Sequence, residues 1–297
     1  MELWTSAYTD RPTSWQKFLL IFSLIIFLGL CLVYMGFLRV YRISSDIMKQ
    51  PMNILVMGVD AEKISDSGVR ERPRTDTMLF IAVRPQQRKV GVFSIPRDSL
   101  VEIPGYGIDR INMAYVYGGY ELTKQAVEEV MGVSIQRYVL INFEGFKELV
   151  DLVGGVEIEV DKRMLYTDHS AGLEIDLQPG TQTLNGEEAL GYVRFRRDPL
   201  GDITRVGRQQ VFLLTLAEKI MAQSRALIFK LPSFYRIGRE HLQTDLSFMD
   251  IIALYRLSRR LNLQTDLITS TLPGEFSGPF WSLSTEKIGR MLQEFMR

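Results

Sequence analysis

The chain has 297 residues, with 35 Lys and Arg balanced by 35 Asp and Glu, so its formal net charge is zero. Zero charge argues against a general nucleic-acid binder, whose affinity comes mostly from neutralising phosphates. The single cysteine, Cys31, excludes an internal disulfide framework and a thiolate-rich metal site.

Residues 1–17 form a short polar tail with no packing pattern. From Phe18 to Leu38 no residue is charged. As a helix this run would reach roughly 30 Å, about one hydrocarbon core. Residues 18–38 are therefore expected to be a retained transmembrane anchor, since the run is long for a cleaved signal peptide. Arg11 and Lys17 precede it, while Arg39, Arg42 and Lys49 follow it, so the positive-inside rule does not favour an outward-facing domain. Residues 39–50 read as a connector, and Pro51 opens a globular part running to residue 297.

Asn53 to Val59 is a continuous apolar run that ends at Asp60, the pattern of a buried strand. A charged loop, residues 61–73, separates it from Thr77–Val83 (TMLFIAV) and Val90–Ile95 (VGVFSI). These two read as an antiparallel hairpin around the polar turn Arg84–Lys89. Pairing them brings Arg74 and Asp76 beside Arg97 and Asp98. If the first strand lies parallel to VGVFSI, Asp60 arrives at the same edge, where ligands of α/β sheets bind. Pro104 to Gly119 reads as a Gly-rich loop carrying Arg110 and Asn112, and Glu121–Met131 as a helix stopped by Gly132.

Tyr138–Ile141 is expected to be a strand, Phe143–Val153 a helix, and Val156–Val160 an alternating strand with one wet face. Residues 161–180 look polar and irregular, and Thr183–Tyr192 looks helical. A second basic cluster, Arg194, Arg196 and Arg197, precedes a long helix starting at Asp202 or Thr204 and reaching about Gln223. On that helix Arg205, Arg208 and Gln209 share one face. Helices at 226–241 and 247–261, a strand at 267–272 and an amphipathic helix at 284–295 complete the chain. Strands alternating with helices predict an α/β fold: a central mixed sheet flanked by helices on both faces, preceded by one transmembrane helix.

Residue types narrow the chemistry further. A planar guanidinium grips phosphate with two hydrogen bonds and keeps its charge, so Arg74, Arg97, Arg194, Arg196, Arg205 and Arg208, with Gln209, form a candidate phosphate clamp. Arg197 and Arg259 read as solvated, and His169 and His241 as surface residues without a partner at ligand spacing. Asp60 and Asp76 are either turn formers, the commoner role of an aspartate at a strand end, or ligands of a hard cation. Asp202 is either a helix N-cap or a site carboxylate.

Together, Gly58-Val59-Asp60, Arg74-Thr75-Asp76-Thr77, Ser94-Ile95-Pro96-Arg97-Asp98, Arg110-Ile111-Asn112, Arg194-Phe195-Arg196, Asp202, Arg205, Arg208 and Gln209 resemble the LytR-CpsA-Psr family. The resemblance covers almost everything after the membrane segment. It implies an enzyme that moves a glycopolymer, such as teichoic acid or capsule, from a polyprenyl pyrophosphate carrier onto peptidoglycan. It implies a cytoplasmic tail, a domain facing outward from the cell membrane, and no nucleic-acid partner. It further implies Asp60 and Asp76 as ligands of Mg2+ (or Mn2+), Arg97 and Asp202 as catalytic, the latter as base, and the arginine set as the pyrophosphate clamp. Two rivals follow from the same residues: a membrane-bound transcriptional regulator, and a non-catalytic ectodomain that only binds anionic polymers.

Overall fold

The structure, a computed structural model, describes residues 14–60, 63–64, 70–168, 173–197, 202–223 and 230–296, with the backbone alone at 14–25, 37, 63–64, 70–71, 202 and 203. Helix α1 (Ser14–Ile47) leads into β1 (Met52–Val59), the short pair β2 (Lys63–Ile64) and β3 (Arg70–Glu71), then β4 (Thr75–Arg84) and β5 (Lys89–Ser94). Next come β6 (Ser99–Ile103), β7 (Gly107–Arg110), α2 (Met113–Met131), β8 (Arg137–Asn142) and α3 (Phe143–Leu152). They are followed by β9 (Val156–Val160), β10 (Met164–Asp168), β11 (Leu173–Leu177), β12 (Gly180–Leu184), α4 (Gly186–Arg194) and α5 (Asp202–Ala222). The chain ends with α6 (Leu231–His241), β13 (Leu242–Thr244), α7 (Phe248–Ser258), β14 (Leu267–Thr271), β15 (Gly274–Ser277), β16 (Phe280–Leu283) and α8 (Thr285–Met296).

Six strands build the central sheet in the order β13-β8-β1-β4-β5-β14. β4 is antiparallel to both β1 and β5, while β8 runs parallel to β1 and β14 parallel to β5. Hence β1, β5, β8 and β14 all end at one edge, where β4 begins. The expected mixed sheet is present, and Asp60 does reach the edge that receives Arg97.

Alternation along the strands assigns the two faces. Leu55, Met57, Met78, Phe80 and Phe93 face α2 and α8, where they bury Ala126, Val127, Ile288, Leu292 and Phe295. On the opposite face, Met52, Ile54 and Val83 pack on Leu257 of α7. Nearer the functional edge of that face, α3, α4 and α5 form another cluster with β9 to β12, centred on Val150, Ile175, Leu184 and Phe212. α3 and α4 approach so closely that a Cβ on Gly186 would lie 2.4 Å from the Lys147 carbonyl oxygen. Only glycine fits there.

Several expected boundaries change. Residues 161–180 are not irregular: β10 and β11 pair as a hairpin, and β11 alternates buried and exposed side chains. The helix expected at 183–192 starts instead at Gly186, because Thr183 and Leu184 pair with β9 and Asn185 caps the helix with Glu188. α2 starts at Met113, within the expected loop; Gly119 carries φ 65° there and kinks it. Residues 226–229 of the helix expected at 226–241 lie outside the described residues.

The 39–50 connector is largely helical, since α1 continues to Ile47. Arg39 and Arg42 end the apolar run but not the helix. Its last turns dock on α7: Arg256 donates to the Tyr41 carbonyl (3.0 Å) and to the Ser44 and Ser45 hydroxyls, and it stacks over the Tyr41 ring at 4.1 Å.

α7 is itself fastened to the sheet. Asp250 is 2% exposed; it accepts from Arg137 Nε at 2.9 Å and closes a capping box with Ser247. Burial works against its charge, but the bonds from Arg137 and Ser247 prevail and hold its carboxyl below the usual range. A lowered folded pKa means stability that is whole above the ordinary carboxylate range and is lost as pH falls through the lowered value. Asp250→Ala is expected to cost about 2 kcal/mol at neutral pH through the lost cap and hydrogen bonds. Urea unfolding of both proteins checks this. The difference should narrow in acid, and an equal difference at both pH values would count against the ionised pair.

Candidate functional site

The β4–β5 register places the central pair. Leu79 faces Ser94, so Asp76 and Arg97 each lie three residues beyond the last paired positions. A bulge adds to this. Gly58 faces Thr77 and Val59 faces Thr75, which leaves Asp76 as the extra residue opposite β1. Bulges bend a strand and re-aim side chains beside functional sites. Arg97 Nη1 donates to Asp76 Oδ1 at 2.5 Å, and Arg196 Nη2 approaches the same oxygen at 3.6 Å.

Arg97 is held from behind. Its Nε donates to Asp98 Oδ2 at 3.3 Å, and Asp98 Oδ1 lies 3.8 Å from Arg110 Nη1. The Arg110 amide donates to Asp109, which also accepts from the Tyr117 hydroxyl at 2.6 Å. The Tyr117 bond is the largest influence holding the Asp109 carboxyl below its usual range. Burial opposes it, while the Arg110 amide and the charges of Arg110 and Arg74 reinforce it. Alternating charges thus run from Asp109 through Arg110 and Asp98 to Arg97, and fix the guanidinium before any ligand arrives.

Two cavities share Asp76, Arg194 and Arg196. One is a polar mouth of about 460 Å³, lined also by Arg97, Arg197, Tyr166, Asp168 and Leu173. The other is a narrow slot of about 100 Å³ between the sheet and α3 to α5. Val56, Leu79, Ile141, Phe143, Phe146 and Phe212 give it mostly apolar walls, and Arg205 and Gln209 line it too. Arg194 sits at the junction, its guanidinium 4.5 Å from the centre of the Phe143 ring. The shape suits an amphiphile with an anionic head and a slender apolar tail.

The expected site residues divide accordingly. Asp76, Arg97, Arg194 and Arg196 meet at the mouth. Arg205 is 2% exposed, and Gln209 donates to the Val193 carbonyl at 3.2 Å. Arg208 lines neither cavity; it donates to the Phe195 carbonyl at 2.9 Å and stacks on that ring, tying α5 to the segment after α4. Arg74 is exposed and lines neither cavity. Asp202 opens α5, but its side chain lies outside the described residues. Asp60 borders a neighbouring cavity with Tyr115, Arg239 and His241, and Asn142 lines both that cavity and the slot.

Arg197 is exposed, as expected of a solvated residue, and His241 is not a plain surface residue. Arg197 faces the mouth and stacks over Tyr166 at 5.1 Å. His241 is half-buried, with Nε2 3.5 Å from Glu148 Oε1. His169 lies outside the described residues. Tyr166 and Asp168 enter the mouth from β10, a strand whose short alternation among charges gave no usable signal.

The donor set for a metal is oxygen only. Among the described residues no three His, Cys, Asp or Glu side chains cluster as a metal cage. Asp76, the bulged residue of β4, lines the mouth, while Asp60, just past the end of β1, lines the neighbouring cavity at the same sheet edge. Magnesium takes one or two carboxylates and completes its shell with water and phosphate oxygens. The donors fit such an ion held jointly with a phosphate ligand, and do not fit zinc.

The family model described as the LytR_cpsA_psr family matches residues 40–294. The chain belongs to the LytR-CpsA-Psr family. It is 33% identical over 244 residues to the regulatory protein MsrR of Staphylococcus aureus (strain COL), covering 82% of this chain and 70% of that one. It is also 33% identical over 224 residues to TagU of Bacillus subtilis (strain 168), a polyisoprenyl-teichoic acid--peptidoglycan teichoic acid transferase, covering 74% and 69%. Among solved structures it is similar to the LytR-CPS2A-psr family protein YwtF (TagT) with bound octaprenyl pyrophosphate lipid, with 27% identity, a TM-score of 0.61, and 83% and 90% of the two chains covered. Of the residues that carry the family resemblance, Asp76, Arg97, Arg194 and Arg196 line the mouth, and Arg205 and Gln209 line the slot.

Proposed function

We propose that this chain transfers a glycopolymer from a polyprenyl pyrophosphate carrier to peptidoglycan, anchored by α1 with its domain on the outer face of the cell membrane. The observation that carries the reading is the junction of an arginine-lined mouth with an apolar slot through Asp76, Arg194 and Arg196. A prenyl pyrophosphate has that division of character. The lipid-bound relative and the TagU transferase support the same substrate class. Among the described residues, one helix, Ile26–Ile47 of α1, is long and apolar enough to cross a membrane.

In the reaction, an acceptor hydroxyl oxygen forms a bond to the sugar-side phosphorus while the bridging P–O bond breaks. The polyprenyl phosphate leaves with the bond's electron pair, and the acceptor proton passes to a carboxylate, for which Asp202 is the candidate. Negative charge grows on the departing phosphate. Arg97, Arg194 and Arg196 meet it already positioned, so little reorganisation opposes the step. Asp60 and Asp76 would hold Mg2+, which when bound supplies Lewis-acid polarisation of a phosphoryl oxygen. With water as acceptor the same residues would hydrolyse the carrier.

The name of MsrR raises a regulatory role. The arginines here converge on Asp76 and Asp98 inside a mouth rather than spreading over one basic face, which favours chemistry over nucleic-acid reading. Purified full-length chain in vesicles should consume polyprenyl-pyrophosphate-linked glycan, release polyprenyl phosphate and label peptidoglycan. Exhaustive EDTA treatment should stop turnover, and Mg2+ or Mn2+ should restore it. Tight carrier binding without turnover would leave a binding ectodomain. Turnover that survives EDTA would take the metal out of the reaction.

A further inference from the structure

α1 and α7 meet at a definite height. Arg256 of α7 holds Tyr41, Ser44 and Ser45, and Leu38 is the last residue of the uncharged apolar run. Leu38 and Tyr41 are three residues apart, so about 5 Å of helix separates the top of that run from the level of α7. If α1 spans a bilayer, α7 lies among the lipid headgroups.

The outward face of α7 is unusual for a solvated helix. Phe248, Ile251 and Tyr255, at i, i+3 and i+7, are 68%, 51% and 47% exposed and share one stripe. Asp250, the acid of this helix, turns inward to Arg137. The exposed charges near the stripe are mainly basic: Arg259 and Arg260 just beyond α7, and Arg39 and Arg42 on α1, while the exposed Asp46 of α1 pairs with Lys49 and Asp245 precedes α7. Apolar and aromatic side chains flanked by arginines are what an interfacial helix presents to an anionic membrane.

We propose that α7 is a second membrane contact. Its Phe248–Ile251–Tyr255 stripe inserts among the acyl-chain ends of the leaflet that receives α1, while Arg39, Arg42, Arg259 and Arg260 engage anionic lipid headgroups. The inference rests on the anchored reading of α1. It also orients the slot: Val56 lines the slot and packs in the cluster under α7, so the slot's inner end points toward the bilayer.

The test uses full-length Cys31→Ser protein in vesicles of phosphatidylglycerol and phosphatidylcholine, spin-labelled at Ile251→Cys. Val33→Cys serves as the control within the span, and Thr181→Cys, on exposed β12, as the control in water. Collisions with oxygen and with a water-soluble nickel chelate report depth. The Ile251 label should favour oxygen several-fold over the Thr181 label, and less so in Arg259→Gln/Arg260→Gln protein. Water-like behaviour at Ile251 with Val33 embedded overturns this inference and leaves the anchor standing. Water-like behaviour at both positions overturns the anchor as well. Spin–spin broadening at Ile251 that vanishes on dilution with unlabelled protein would assign the face to a second copy of the chain and overturn lipid contact. As an independent readout, Ile251→Ser/Tyr255→Ser should slow turnover of vesicle-embedded carrier several-fold while sparing a water-dispersed short-chain carrier. Equal slowing on both substrates would overturn it.

Discussion

Arg97→Ala is expected to lower turnover at saturating carrier by about a hundredfold or more, with the fold intact. Pro96 fixes its own φ and holds Ile95 extended, so Arg97 leaves a defined strand end. Asp98 and Asp76 then grip the guanidinium from two sides, at 3.3 Å and 2.5 Å. A charge positioned this way stabilises the departing phosphate more than the resting carrier, and its loss shows in kcat. A charge used only for ground-state binding would instead raise KM. Arg97→Lys should restore only part of the rate, because an ammonium has no fork to share between Asp76 and a phosphate. Steady-state kinetics decide. Normal turnover of Arg97→Ala at saturation would move the catalytic charge to Arg194 and Arg196.

The second large effect is expected at Asp76. Asp76→Asn keeps the shape of the side chain and removes its charge. Two losses then coincide: Arg97 and Arg196 lose their shared partner, and the candidate cation site loses a ligand. A metal's Lewis-acid contribution is several kcal/mol, and each 1.36 kcal/mol is tenfold, so turnover should fall about a hundredfold or more. The two losses are separable by binding. If Asp76 is a ligand, Mn2+ binding followed by EPR in the presence of pyrophosphate should weaken in Asp76→Asn but hold in Arg196→Gln. Undiminished Mn2+ binding by Asp76→Asn would leave Asp76 as an organiser of arginines alone.

The Arg97–Asp76 pair could be read from the chain because its frame is made of strands buried on both faces. Such strands are uninterrupted apolar runs, and a hairpin between them fixes what lies three residues past the ladder. The bulge could not be read, since Asp76 owes its place to a skipped partner between Gly58 and Val59 rather than to any residue type. Helix α5 was legible from its spacing, yet spacing alone could not separate Arg205, in the slot, from Arg208, which ties down Phe195. Three residues along the helix turn their side chains by about 60° relative to one another. Asp60 shares the edge but borders a different cavity, because a common edge is not a common pocket. The β11 strand was legible, since Leu173–Leu177 alternates apolar residues with acids just as Val156–Val160 does, whereas its partner Met164–Asp168 lacks that pattern. The helical start of α2 was hidden by Gly118 and Gly119, which read as a loop, although Gly119 only kinks the helix.

The docking of α1 on α7 also sets a working height. β1 spans eight residues from Met52, beside the end of α1, to Val59 at the functional edge. At about 3.3 Å per residue that is about 26 Å. On the anchored reading, and with β1 rising along the bilayer normal, the mouth would stand about that far above the lipid surface. A carrier cannot present its pyrophosphate there while its whole tail stays in the membrane. Lifting hydrocarbon into water costs about 0.8 kcal/mol per methylene, so an unsheltered ascent of several isoprene units would be prohibitive. The slot runs from the mouth past Leu79 to Val56 and offers a dry path over part of that climb. On the proposed function, the chain would work as an extractor as well as a transferase. Its preference among carriers would be set by how much tail must leave the bilayer, and its choice of acceptor by which glycan strands pass at that height.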